Sequence, residues 1–134
     1  MKITYLNFIL IIILFSCSPF PSPRNIDGKK IWKQYSLELK KIVGEILKEK
    51  PSKNFQLENR KFSASFDYPF DQGYSVSKKD SNLQITFYLD RGLLDHYSAI
   101  IFTDNEQELS NYNKKIKENG NDFKLEENWF LIND

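Results

Sequence analysis

From Ile31 onward the apolar residues fall at Ile31, Tyr35, Leu39, Ile42, Val43, Ile46 and Leu47. Steps of three and four with polar residues between them describe one face of an amphipathic helix. Asp27 stands where an N-cap belongs, and Pro51 stands where the helix must stop. Lys48 and Lys50 suit the negative end of the helix dipole. Gly44 costs about 1 kcal/mol there against Ala; it either admits close packing on a sheet or is simply tolerated. The period then changes to two. "KFSASFDY", 61–68, alternates Phe62, Ala64, Phe66 and Tyr68 with polar residues, the pattern of a half-buried strand. "PFDQG" interrupts it.

"YSVSKK" and "LQITFYL" read as the arms of a hairpin across "KDSN", with Leu83, Ile85, Phe87 and Leu89 on one face. "DRG" turns the chain into "HYSAIIFT". There Ile100, Ile101 and Phe102 are consecutive, so this strand belongs inside a sheet covered on both sides. A second helix is predicted over "DNEQELSNYNKKIKENG", with Asp104 as its cap, Glu106 and Glu108 in its first turn and Gly120 at C′. Leu109, Tyr112 and Ile116 form its buried stripe. "DFKLEENWFLI" closes the chain as one or two short strands. The order α-β-β-β-β-α-β(-β) predicts an α+β fold: a mainly antiparallel sheet with two packed helices, in two layers, as one domain over 26–134.

The N-terminus follows a different pattern. Met1-Lys2 supplies a positive charge, and Phe8 to Phe15 is apolar without a break. The run is too short for a comfortable bilayer span but fits the h-region of a secretory signal. It ends in "LFSC", Leu14 to Cys17, with the chain's single cysteine. This resembles the lipobox of bacterial lipoproteins. Leu14 stands three residues before the cysteine and the small Ser16 just before it; Phe15 stands where small or β-branched residues are usual. The resemblance covers about the first twenty residues. It implies a signal peptide over 1–16, with Cys17 as the first residue of the mature chain. Cys17 then carries a diacylglyceryl group on its sulfur and often a further acyl chain, such as palmitate, on its amine. Several chains on one residue make anchoring effectively permanent, whereas one alone is marginal. Ser18 replaces the Asp that in two-membrane bacteria resembles an inner-membrane retention signal, which favours the outer membrane. "SPFPSPRN" completes a lipid-anchored Ser/Pro tether over 17–25, too proline-rich for a helix.

Composition adds limits. The chain holds 19 basic and 18 acidic residues, and loss of Lys2 with the leader balances them. No global field attracts nucleic acid. One cysteine closes no intrachain disulfide, and with one histidine it assembles none of the usual zinc sets. Neither a G-x-G-x-x-G motif nor a P-loop is present, so no cofactor is implied. Aromatic residues make up 15% of the chain. Tyr68, Phe70, Tyr74, Tyr88, Tyr97, Trp129 and Phe130 are candidates either for core filling or for a protein or glycan contact.

Two clusters invite a catalytic or metal reading. Asp90, Asp95, His96 and Ser98 lie close together, but neighbours along a strand point to opposite faces, so Asp95 and His96 diverge. No nucleophile elbow accompanies them. "DNEQE", 104–108, lacks the Gly and the final acid of an EF-hand and fits a helix N-terminus better. No catalytic residue and no metal ligand is therefore assigned, and a non-enzyme is favoured. The expectation is a lipid-anchored protein of the bacterial cell envelope, held to the membrane through Cys17. Its small domain binds an envelope protein or glycan, or serves a structural role. The alternatives are a small envelope hydrolase using the Asp90–Ser98 region and an inhibitor or immunity-type lipoprotein.

Overall fold

The computed structural model describes residues 27–49, 55–62, 73–91 and 97–133. Helix α1 spans Gly28–Glu49 and β1 spans Phe55–Arg60; β2 is Tyr74–Lys79, β3 Asn82–Arg91 and β4 Tyr97–Thr103. Helix α2 spans Glu106–Glu118, then β5 is Phe123–Glu126 and β6 Trp129–Asn133. The six strands form one sheet in the order β1-β2-β3-β4-β6-β5, and every neighbouring pair is antiparallel. The α+β class and the element order are as the periodicity predicts.

Helix α1 starts where the sequence places it. The Asp27 carboxylate accepts the backbone N–H of Lys30 at 3.0 Å, which satisfies one of the free donors at a helix start. Its inward residues Ile31, Leu39, Val43 and Ile46 pack on Val76, Leu83, Ile85, Phe87, Leu89, Ile100, Phe102, Trp129 and Leu131. Gly44 serves no close packing, because a Cβ there would meet nothing within 4 Å. Gly28 does: a Cβ would lie 2.5 Å from Leu131 Cδ1.

On the opposite face Ala99, Ile101, Phe130 and Ile132 form a second core under Leu109, Tyr112 and Ile116 of α2. The helices thus cover opposite faces, and the domain has three layers where two were expected. The reason is legible in β4 and β6. Ile100 pairs with Leu131 and Phe102 with Trp129 toward α1, whereas Ala99 pairs with Ile132 and Ile101 with Phe130 toward α2. A strand apolar on both faces needs cover on both.

Three local expectations change. The first strand runs over Phe55–Arg60; Lys61 and Phe62 lie beyond its end, and 63–68 of the expected strand lie outside the described residues. The cap of α2 is Asn105, whose side-chain oxygen accepts the N–H groups of Gln107 and Glu108 at 2.9 and 3.2 Å. Asp104 is drawn to the sheet instead and accepts the Leu83 N–H. At the far end Asn119 is the C-cap, with extended backbone, so Gly120 stands at C′ as expected but without a left-handed conformation. The β2–β3 hairpin forms as expected around Asp80 and Ser81, with Asp80 at φ 58°. "DFKLEENWFLI" folds as two strands.

Candidate functional site

The C-terminal half of α1 stands away from the end of β1, leaving a cleft of about 540 Å³. Ile42, Ile46, Phe62 and Tyr74 give it apolar walls, and Glu38, Lys41, Glu45, Glu49, Arg60 and Lys61 give it charge. Its geometry follows from the register. Arg60 pairs with Tyr74, and Glu58 with Val76, on the face that α1 covers. Arg60 and Glu58 therefore project toward the helix. The Arg60 guanidinium donates from Nε to Glu58 at 3.0 Å and from Nη1 to Glu49 at 2.9 Å. These bonds, Glu58 first, push the Arg60 pKa above its already high value. The guanidinium is a clasp between the edge strand and the last turn of α1.

Burial raises the Tyr74 pKa, and the nearby Arg60, which also hydrogen-bonds the phenol, opposes that rise. Tyr74 is neutral at ordinary pH. Its ring stands 5.3 Å from Phe62 and 5.4 Å from Phe87, and Phe87 stacks on Trp129 at 6.0 Å. A row of aromatic rings thus leads from the cleft wall into the core. The cleft can hold a ligand with apolar and charged parts, but its arginine is already occupied by two carboxylates.

Glycine sets the cleft's edge. Gly73 has φ 68°, and a Cβ there would collide with the carbonyl oxygen of Arg60. Only glycine lets β2 begin so close to the end of β1. The sequence does not announce this site. Arg60 lies before the expected strand, and its partner Glu49 lies on another element. The signal available is "LENR", in which Glu58 and Arg60 stand two apart and so share one face of a strand.

The candidates that the sequence suggests fall elsewhere. Asp90 and Ser98 are cross-strand partners beside a β-bulge at Tyr88/Asp90. The Ser98 hydroxyl donates to Asn133 Oδ1 at 2.6 Å, an amide oxygen that withdraws no proton from it. Asp95 and His96 lie outside the described residues, as do Cys17, the 1–16 leader and the 17–25 tether. Of the aromatic candidates, Tyr74, Trp129 and Phe130 are buried and Tyr88 and Tyr97 half-buried. Tyr68 and Phe70 are outside the described set. Core filling accounts for the buried three.

Among the described residues no group of three or more His, Cys, Asp and Glu side chains could hold a metal ion. No helix among them is long and apolar enough to cross a membrane. Comparison of the chain with protein-family models, curated proteins and solved structures finds no match.

Proposed function

We propose that this chain is a lipid-anchored protein of the bacterial envelope whose α+β domain is a non-catalytic binding or structural module. The observation that carries the reading is the leader ending in Leu14-Phe15-Ser16-Cys17, with the single thiol of the chain where lipidation needs one. The thiol acts once as a nucleophile, during maturation, and the lipid then holds the domain at the membrane.

A binding role for the domain is supported by the cleft between α1 and β1. It combines apolar walls with a charged rim, the mixture that orients a ligand or a partner's side chain. Its Arg60 is held by Glu49 and Glu58 and its Tyr74 is kept protonated. Both suit recognition better than proton transfer, which needs a group with a pKa near the working pH.

Processing tests the reading. In a bacterial host supplied with labelled fatty acid, the native chain is expected to be shortened and labelled. Cys17→Ala is expected to remain at precursor length and take up no label. Normal shortening of Cys17→Ala would remove the lipobox reading and leave ordinary signal cleavage.

A further inference from the structure

Helix α1 has a second stripe besides the one it buries. Lys30, Lys33, Leu37, Lys41, Gly44 and Lys48 recur at steps of three and four along the side facing away from the sheet. The four lysines are exposed. Leu37 at the middle is 78% exposed, the most exposed large apolar side chain among the described residues. No acid interrupts the stripe. Glu38 and Glu45 flank it on the cleft side, where Lys41 also borders the cleft.

The lysines of α1 divide by position. Lys29 sits over the Phe123 ring, 3.4 Å from its centre, and Lys40 reaches Glu126 at 2.6 Å. Both are engaged by β5. Among the described residues none of the four stripe lysines has a carboxylate within 4.0 Å. A row of lysines without an ion pair around an exposed leucine is the complement of an anionic surface with an apolar layer beneath it.

Chain length places such a surface within reach. Gly28 follows Cys17 by eleven residues, and a chain of that length spans at most about 40 Å. Helix α1, with 22 residues, is about 33 Å long, so it can lie flat on a bilayer to which Cys17 is fixed. Anchoring makes the contact intramolecular, and a weak attraction per lysine then suffices.

We propose that the Lys30–Lys48 stripe of α1 docks on anionic phospholipid of the membrane that holds the lipid anchor, with Leu37 entering the headgroup layer. The inference rests on the anchored reading above. It fixes the domain's orientation: α1 faces the bilayer, and α2, on the opposite face of the sheet, faces away from it.

The test uses the full chain carrying Leu37→Cys, recovered from host membranes and labelled with an environment-sensitive thiol dye. It is reconstituted in vesicles of phosphatidylcholine alone, or with roughly one-third phosphatidylglycerol as the anionic lipid. The expected result is brighter, blue-shifted emission only with the anionic lipid. The shift should vanish in about 0.5 M sodium chloride, where screening shortens to about 4 Å. Each lysine removed should lower the docked fraction's ratio about fivefold, so Lys30→Gln, Lys33→Gln, Lys41→Gln and Lys48→Gln together should abolish the shift. The pair Lys114→Gln and Lys117→Gln on α2 should keep it.

Equal emission in both vesicles would overturn the proposal, whether the stripe stays in water or serves an acidic protein. So would a shift that survives the fourfold variant or is lost in the α2 pair. Mass spectrometry of the same sample reports lipid or dye on Cys17. An unlipidated Cys17 refutes the anchored reading on its own, while the vesicle comparison still reads the stripe.

Discussion

Asp122 brings a carboxylate into the domain with its side chain almost wholly enclosed, at 2% exposure. Its two oxygens are both used: Asn133 N–H donates to one at 2.7 Å and the Asn119 amide to the other at 3.2 Å. The group ties the end of α2 to the last residue of β6. Asp122→Ala leaves those donors without their acceptor, and hydrogen bonds to a charged group are each worth about 1.5–3 kcal/mol. A loss of about 2–3 kcal/mol in urea unfolding is expected. A loss within the error of the wild-type value would mean that water replaces the carboxylate freely. Tyr74 gives a prediction of the opposite kind. Burial raises its pKa in the folded state above the ordinary 10.0, so above that pH the unfolded chain sheds the proton first. Stability from this group is complete below pH about 10 and falls as pH rises toward the folded-state value. Stability measured at pH 8 and pH 11 should drop more for the native chain than for Tyr74→Phe; equal drops would contradict it. The sequence alone points to neither role. Asp122 and Arg60 take their meaning from partners on other elements, and no local pattern names those partners.

Elements are legible to the extent that their residues alternate between core and water. α1, the β2–β3 hairpin, β4 and α2 announce themselves by period. β1 does not, because "FQLENR" is an edge strand whose Glu58 and Arg60 are engaged by charge and whose Leu57 is 61% exposed. Charged edge strands protect a sheet from stray pairing and blur the apolar signal. The cap of α2 lies one residue later than expected for a similar reason. Thr103 donates its hydroxyl to the Leu83 carbonyl, and the Asn105 N–H donates to Thr103 Oγ1. This extension beyond the end of β4 holds Asp104 on Leu83 and delays the helix to Asn105. The two glycines of α1 yield opposite expectations. Gly44 faces open space, so Gly44→Ala should raise stability by up to about 1 kcal/mol. Gly28 lies against Leu131, which is 3% exposed and cannot retreat into solvent. Gly28→Ala should therefore lower the melting temperature while Gly44→Ala raises it. The reverse order in thermal unfolding would show that Leu131 has room to move.

For the whole molecule, the sheet joins two cores of different extent. The α1 face is apolar from β2 to β5, whereas the α2 face is apolar at β4 and β6 and turns polar at Ser75, Ser77, Gln84 and Thr86. The triplet Ile100-Ile101-Phe102 demands cover on both faces, and the stripe Leu109, Tyr112, Ile116 is available to supply it. Reading the two together gives three layers from sequence alone; placing both helices on one side neglects that demand. The cleft is not legible, since it depends on how far α1 stands from β1. Attachment of the whole molecule to a membrane is read from the mass of its mature N-terminal peptide. Protein recovered from bacterial membranes is expected to begin at Cys17, with a diacylglyceryl group on the sulfur. A chain that begins elsewhere, or a Cys17 with an unmodified thiol, would contradict it.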